Sequence, residues 1–542
     1  MLNKEGSAHR SKGNRLAVFA RKASGLTKEA SVFDAFVFGF MNNGIGVGLW
    51  YLHSIGLYVS PGGNLILGTV VAGLLSLVGI ALAWGILGGS MPRSGGDYVY
   101  NSRILHPAIG TATSWAQGLF ISIAWLWVLT PWVADPGLPI LAGAMGLPPE
   151  SIEFWITPVG MLIIATIVNV LSFVVVTFGL KGYITMQRIC FTIGMIGVII
   201  GLVLISTTSH DGFVSLWNTL AAQQGSPDYQ SVVGLAKEAG YAAETWNWEA
   251  SLGLAPVVAW ALSYGFCIGY IGGEIKRPER SILTAQLLAV IVPVVLLIWL
   301  ALSLQSMTDY EFMGAIAYID NEGPEWYAML FPPTWANLAA ILTDNPVLQF
   351  LVGFNFIAFD FFWVPFSYLV FSRVAFAQGL DQIGPRWFTD LSRRFGAPIK
   401  VYAAVFILGQ AAITYYCLYP EVLGSLSITG LDAITVWGIL GISCAVFPFV
   451  GKARHIWDAS PHRWKIGPLP VATISGTASV IFTILVIWGI YRSPAMGGLN
   501  VYWTPIYFGI MILAVLWYYY WRWKRAKEGI DVALAFKELP PE

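Results

Sequence analysis

The chain contains few charged side chains: Asp, Glu, Lys and Arg together make up 11% of its 542 residues. Hydrophobic residues make up 56%, and the mean hydropathy is +0.66. Soluble globular domains typically carry about 25% charged residues. This composition therefore excludes a soluble globular domain and predicts an integral membrane protein.

Cysteine is also scarce, with four residues that all lie in long apolar stretches. We interpret them as packing residues rather than as a disulfide framework or a metal site. No nucleophile–base pair or metal-ligand cluster stands out in the sequence, so we predict no enzyme, no cofactor and no nucleic acid partner. The first 30 residues lack an apolar core with a cleavage site, so we expect no removable signal peptide.

Twelve apolar stretches are each long enough to cross a bilayer as a helix, which takes about 20 residues. They are too long, and their alternation too weak, for a β-barrel. The sequence thus predicts an all-α membrane protein with twelve transmembrane helices, numbered here in chain order. The stretches cover 32–59, 63–90, 107–130, 155–180, 183–206, 251–275, 282–306, 346–372, 399–419, 428–450, 467–490 and 501–522.

Lys and Arg are distributed very unevenly along this pattern. If the N-terminus is cytoplasmic, 28 of the 30 lie on the inner side, and only Lys237 and Arg492 lie outside. Because short cytoplasmic loops carry an excess of Lys and Arg, both termini are predicted to be cytoplasmic.

The first apolar stretch contains a glycine-rich interruption, in which Asn42 and Asn43 are followed by Gly44, Gly46 and Gly48. Each glycine lowers helix propensity by about 1 kcal/mol relative to alanine. Non-helical backbone at membrane depth is tolerated where it is buried in protein or lines a cavity. The pattern predicts a broken helix at a binding site, and the alternative is close helix packing through Gly44 and Gly48.

The sixth stretch is interrupted in a similar way, by four glycines from Gly265 to Gly273 followed by Glu274. Helices 1 and 6 correspond if the chain consists of two five-helix units, inverted because helix 1 starts inside and helix 6 outside. Paired interruptions of this kind indicate a transporter site near the membrane midplane.

Two acidic residues, Asp360 and Asp432, fall well within predicted helices. A carboxylate at the centre of a membrane helix costs about 2.5–3.5 kcal/mol on insertion scales. Asp360 is therefore a candidate proton carrier, and the alternative places it beside a water-filled outer vestibule.

Four motifs, in order, resemble those of the amino acid–polyamine–organocation transporters. They are the glycine-rich segment 44–48, the loop MPRSGGDY at 91–98, GEIKRPER at 273–280, and the segment from Arg373 through Asp381 to Pro385. The resemblance covers helices 1 to 10. It implies two inverted five-helix repeats, as in sodium-coupled leucine transporters, with two peripheral helices.

The resemblance also implies that an amino acid is recognised largely by backbone. Its carboxylate would meet N–H groups around Gly44, Ile45 and Gly46, and Asn42 and Asn43 are side-chain candidates for selectivity on helix 1. The substrate ammonium would meet carbonyl groups around three residues of helix 6, with an aromatic side chain beside that break closing over the substrate. The helix 6 residues are Ser263, Tyr264 and Gly265, and the closing aromatic would be Tyr264 or Trp260. The aromatic candidates for side-chain selectivity are Trp260, Tyr264 and Phe266.

Some proton-coupled relatives carry a lysine midway along helix 5, where this chain has Gly194. A sodium ion would need oxygen ligands, and Ser367 is the one helix 8 hydroxyl that is well placed. Coupling to H⁺, coupling to Na⁺ and exchange therefore stay open, with Asp360 and Ser367 as candidate coupling residues.

We therefore expect a plasma-membrane amino acid transporter that works by alternating access. A polyamine or other organic cation carrier, an exchanger of the same fold and a non-transporting sensor are alternatives. The expected units are an N-terminal tail (1–30), a first repeat (31–206), an extracellular loop (207–250), a second repeat (251–450), two further helices (451–523) and a C-terminal tail (524–542). The oligomeric state is left open.

Overall fold

The computed structural model describes residues 28–242, 246–419, 430–496, 498 and 503–539. The N-terminal tail predicted over 1–30 therefore lies outside the described residues except for its last three. The last three residues of the C-terminal tail, 540–542, also lie outside the described residues.

Within these described ranges, twelve helices are long and apolar enough to cross a membrane, as predicted, and we call them spans 1 to 12. Nearly all other described elements are short helices in the connections, so the all-α fold is confirmed. In order, the spans are Val32–Val59, Leu65–Ser90, Pro107–Ala144, Pro158–Thr177, Gly179–Thr207, Trp248–Tyr270, Pro278–Met307, Pro346–Leu380, Ile399–Leu418, Gly430–Phe449, Val471–Arg492 and Trp503–Lys527.

The spans differ greatly in how far they are buried. In the most apolar 18-residue stretch of each span, the buried share of residues is 94% for span 6 and 83% for span 1. In span 12 the share is only 17%. The two glycine-interrupted spans therefore form the centre of the bundle, and span 12 lies at its edge.

The structure corrects several predicted bounds. Span 3 continues to Ala144 through the helix Gly137–Ala144, and span 8 continues to Leu380. The predicted loop 207–250 contains two helices, His210–Gln224 and Tyr229–Glu238. Hydropathy missed these extensions because the segments are too polar or too rich in proline to score as membrane helices.

Shorter elements connect the spans. The α-helices are Asp97–Ile104, Tyr310–Glu322, Trp335–Ala340 and Arg454–Ala459, and the 3₁₀ turns include Pro149–Ser151, Glu153–Ile156, Arg386–Thr389 and Val532–Lys537. Strands β1 (Lys465–Ile466) and β2 (Leu469–Pro470) form a small antiparallel hairpin.

Span 11 packs closely on the bundle rather than standing apart from it. A Cβ added to Gly79 of span 2 would lie 2.7 Å from the backbone nitrogen of Ser479. One added to Gly441 of span 10 would lie 2.9 Å from the carbonyl oxygen of Gly476. Small residues allow this close backbone approach, so span 11 is an integral part of the fold.

The loops that carry most of the basic residues meet on one side of the bundle, which we call the basic side. Two buried ion pairs join them. The Arg373 guanidinium bonds the Glu274 carboxylate at 2.7 and 3.1 Å. Arg103 bonds Asp381 at 2.7 and 2.9 Å, and both side chains are fully buried. Fork-shaped pairing of this kind holds segments in register, so spans 6 and 8 are fixed together here.

The buried pair of Glu274 and Arg373 generates a stability prediction. Arg373→Gln leaves a buried carboxylate without its cation, so we expect the free energy of unfolding to fall by about 3–5 kcal/mol. Lys400→Gln is the matched control, because Lys400 and Asp390 form an exposed pair and such pairs contribute ~0–1 kcal/mol. Unfolding of the purified proteins in detergent measures both, and equal effects would contradict the assignment.

Candidate functional site

Span 1 is broken, as predicted. Its first α-helix is Val32–Asn42, with Asn43 as the C-cap residue. A second helix begins at Ile45 and runs to Trp50. Gly44 between them has φ +56° and ψ +52°, in the left-handed region. Because glycine adopts this conformation without a Cβ clash, the sequence places glycine at the turning point of the break.

The second helix of span 1 starts with open backbone donors. Its first backbone hydrogen bond within the helix runs from Gly48 N–H to Gly44 O, at 2.7 Å. The N–H groups of Ile45, Gly46 and Val47 precede it, and the first amides of a helix lack partners inside the helix. Such a helix start carries partial positive charge and binds anions.

Gly46 is glycine because of close packing, and not because the break needs backbone freedom at this residue. Gly46 has ordinary helical geometry, and the left-handed conformation is confined to Gly44. A Cβ at Gly46 would lie 2.6 Å from Asn355 Oδ1 and 2.7 Å from the Phe359 ring. Close approach of span 8, rather than backbone freedom, therefore explains this glycine.

Span 6 also loses its α-helical form near the middle. The helix Ala255–Leu262 ends at Ser263, and a 3₁₀ segment follows from Tyr264 to Tyr270. The Ser263 hydroxyl lies 3.2 Å from that of Ser76 in span 2. The change of helix type falls at the residues that the sequence nominates.

One side chain joins the two breaks. Asn43 Oδ1 accepts hydrogen bonds from the N–H groups of Tyr264, at 2.8 Å, and Gly265, at 2.9 Å. Its Nδ2 donates to the carbonyl of Ala289 in span 7, at 2.5 Å. Asn43, nominated as a substrate contact, thus uses its side-chain amide to hold spans 1, 6 and 7 together.

Aromatic rings cover the breaks. The Trp260 ring stacks on Tyr51, with centroids 4.5 Å apart, and lies 4.9 Å from that of Trp363. Trp363 lies against Gly44, where an added Cβ would be 2.7 Å from Cζ3 of the indole. Trp125 stacks on Trp363 at 5.6 Å. Phe266 lies beyond the break in span 6, 5.0 Å from Trp84.

Trp125 and Trp363 were missed in the sequence because a tryptophan in a membrane span usually indicates packing. Neither carries a local motif, and each belongs to a span without a predicted break. The indole Nε1 atoms of Trp363 and Trp260 are buried without a hydrogen-bond partner in the described part of the chain, whereas the Trp125 indole lies beside the Asp432 carboxyl.

The two candidate coupling residues lie on one face of span 8. Asp360 and Ser367 are two helical turns apart, with Trp363 between them, and both are fully buried. Neither Asp360 oxygen nor the Ser367 hydroxyl has a hydrogen-bond partner among the described residues. Asp360 is thus enclosed by protein in this structure.

Span 5 packs on span 8 where some relatives carry a lysine. A Cβ at Gly194 would lie 2.6 Å from the Phe359 ring. Phe359 therefore occupies the space beside this position, which explains why the residue is glycine.

The side opposite the basic side carries acidic loops, and we call it the acidic side. There Asp320, on the helix Tyr310–Glu322, accepts hydrogen bonds from Trp50 Nε1, at 3.1 Å, and from the Ser54 hydroxyl. Asn321 donates to the Ser54 carbonyl at 3.2 Å. These bonds hold the second half of span 1 under the loop between spans 7 and 8.

On the basic side, the loop 91–98 packs under span 6. The Tyr270 hydroxyl donates to Asp97 at 2.7 Å, and the Tyr98 hydroxyl donates to Asp381 at 2.8 Å. A Cβ at Gly96, which has φ +50°, would lie 2.8 Å from the Tyr270 ring. Two of the four family-like motifs thus meet here, and the ion pair of Glu274 with Arg373 joins a third to them.

Twelve spans with paired breaks at the centre of the bundle are the arrangement of a membrane transporter. The family model for amino acid permeases matches residues 36–532. The chain belongs to the amino acid permease family, and it is an amino acid transporter in the general sense that this family defines. A search of curated proteins found no match.

The left-handed glycine generates a prediction. Gly44→Val places a β-branched side chain at φ +56° and against Trp363, so we expect amino acid uptake to be lost while the protein still inserts. Gly509→Val is the matched control, because a Cβ at Gly509 meets nothing within 4 Å. Uptake and membrane abundance in cells measure both, and normal uptake by Gly44→Val would rule out this account of the break.

The Asp320 carboxyl generates a prediction about pH. Burial raises the pKa of Asp320 to about 6, and the nearby Asp135 charge also raises it. The hydrogen bonds from Ser54 and Trp50 lower the pKa, but by less. The folded protein therefore holds this proton more tightly than the unfolded chain, so stability increases as the pH falls from 7 through about 6. We expect Asp320→Asn to reduce this increase.

Thermal unfolding between pH 7 and pH 5 tests the Asp320 prediction. Burial also raises the pKa of Asp97 to about 6, but that group is present in both proteins. The difference between wild type and Asp320→Asn therefore reports on Asp320, and identical pH profiles would refute its role.

Proposed function

We propose that the protein carries an amino acid across the plasma membrane by alternating access, with the substrate bound between the breaks of spans 1 and 6. The observation that carries this proposal is the hydrogen bonding of Asn43 to the amides of Tyr264 and Gly265. It brings an anion-binding helix start and an interrupted span side by side in the most buried part of the bundle.

The α-carboxylate is the substrate group that suits the break in span 1. The N–H groups of Ile45, Gly46 and Val47 precede the first hydrogen bond within their helix, and the partial positive charge there favours a carboxylate. The α-ammonium is assigned to the carbonyl groups around Ser263, Tyr264 and Gly265, where span 6 leaves its α-helical form.

The two sides of the site are closed by different contacts, which is what alternating access requires. On the acidic side, Trp260 stacks on Tyr51, and Asp320 holds the second half of span 1. On the basic side, the ion pairs of Glu274 with Arg373 and of Asp381 with Arg103 join spans 6 and 8 to the loop 91–106. Opening either side separates one set and leaves the other intact.

The basic side is proposed to be cytoplasmic. This orientation follows from the excess of Lys and Arg in the loops of that side, and it places both termini in the cytoplasm.

Asp360 is proposed to carry the coupling proton. A buried carboxyl without a hydrogen-bond partner among the described residues is more stable protonated than charged. It lies one turn from Trp363, which contacts the break in span 1. Ser367, two turns from Asp360 on span 8, is the candidate oxygen ligand if the coupling ion is Na⁺ instead.

Uptake of labelled amino acids into proteoliposomes, with H⁺ and Na⁺ gradients imposed separately, tests the proposed function. Accumulation driven by one gradient supports symport and identifies the ion. Exchange in preloaded vesicles without accumulation would indicate an exchanger. Binding without flux would favour a sensor, and neither flux nor binding for any amino acid would overturn the proposal.

The proton role of Asp360 generates a prediction of its own. Asp360→Asn cannot change its charge, so we expect the pH dependence of uptake to become flat, while exchange at fixed pH continues. Asp344→Asn, an exposed carboxyl in the loop between spans 7 and 8, is the control and keeps the wild-type profile. An unaltered profile in Asp360→Asn would return this residue to a structural role.

A further inference from the structure

We propose that the transported amino acid carries a positively charged side chain, an ammonium or a guanidinium group, and that Asp432 is the residue that recognises this charge. The inference rests on the proposed function, because it assumes that the α-carboxylate is held at the break in span 1. It adds the class of substrate and the residue that selects it.

Asp432 lies one tyrosine side chain away from the two breaks. Its Oδ2 accepts a hydrogen bond from the Tyr264 hydroxyl at 2.9 Å. The backbone N–H of the same tyrosine is bonded to Asn43, beside Gly44. A substrate whose carboxylate sits at the break would therefore need a side chain of several methylene groups to reach Asp432, as lysine, ornithine and arginine have.

No cationic side chain of the described residues pairs with Asp432. The carboxyl is fully buried. The arginines that are buried among the described residues already have acidic partners: Arg103 pairs with Asp381, Arg373 with Glu274 and Arg525 with Glu528. A buried carboxylate is stable when it is paired, so a cationic ligand would supply the missing charge.

The rings beside Asp432 suit a cation as well. The Tyr264 ring lies 5.6 Å from that of Trp125 and 5.6 Å from that of Trp363. The Trp260 ring lies 4.9 Å from that of Trp363. Cations bind over indole and phenol faces within about 6 Å of the ring centroid. A cationic group inserted here would meet aromatic faces and a carboxylate together.

Asp360 differs from Asp432 in the hydrogen bonding of its carboxyl group. No hydrogen-bond donor in the described part of the chain reaches its carboxyl oxygens, whereas the Tyr264 hydroxyl donates to Asp432. The two buried acids therefore have separate roles, a proton carrier in span 8 and a cation ligand in span 10.

Matched pairs of amino acids test the inference on the wild-type protein in proteoliposomes. Arginine and citrulline have nearly the same shape but differ in charge. Norleucine has the four-carbon side chain of lysine but lacks its ammonium group. We expect the cationic member of each pair to compete at least about tenfold more strongly for uptake and binding, as a charge-assisted contact allows. A preference for citrulline and norleucine would overturn the inference.

Variants at Asp432 test the residue itself. We expect Asp432→Asn to weaken arginine binding at least about tenfold and to bring arginine and citrulline within about threefold of each other. Asp432→Glu keeps the charge and should restore most of the preference, which a purely structural role would not predict. Asp344→Asn is the control, and an unchanged preference in Asp432→Asn would overturn the assignment.

The outcomes separate this inference from the proposed function. Uptake of neutral amino acids alone overturns the inference and leaves the proposed function standing. Agmatine, which is arginine without its carboxylate, should bind weakly. If it binds as tightly as arginine, charge recognition by Asp432 holds and carboxylate recognition at span 1 fails. If Asp432→Asn does not fold, the wild-type pairs still decide the substrate class.

Discussion

The hydrogen bonds of Asn43 are the interaction on which the centre of this protein depends. A helix that breaks at membrane depth exposes backbone groups that lipid cannot satisfy. Asn43 caps two amides of span 6 with one oxygen and binds the Ala289 carbonyl through its nitrogen. One short side chain thereby stabilises two interruptions and ties both to span 7, which leaves the helix start at Ile45 available for a ligand.

Two kinds of contact surround this centre, and they differ physically. On the basic side, buried bidentate ion pairs and tyrosine hydroxyls join the loops, and these groups are readily hydrated when they separate. On the acidic side, stacked rings and a carboxyl that binds Trp50 and Ser54 form the cover. These ring pairs are held by apolar burial and by the ring quadrupoles rather than by buried charge.

The sequence allowed much of the architecture to be predicted. The twelve spans follow from hydropathy, and the breaks follow from the glycines at 44 and 265, because both signals act locally along the chain. The bounds of spans 3 and 8 were wrong where polar or proline-containing segments continue a helix. The sequence also did not reveal the role of Gly46. A side chain at this residue is excluded by two groups of span 8, the Phe359 ring and the Asn355 amide.

What the sequence by itself determined is the membrane class, the number of spans, the positions of both breaks and the family. Only the tertiary structure decided which groups meet at the breaks. In the structure, the Asn43 amide binds span 6, and Trp363 lies against Gly44 with Trp125 stacked on it. Asp432 lies beside Tyr264, and Glu274 pairs with Arg373. These contacts join residues far apart in the chain, and hydropathy or helix propensity contains no information about which helix faces which.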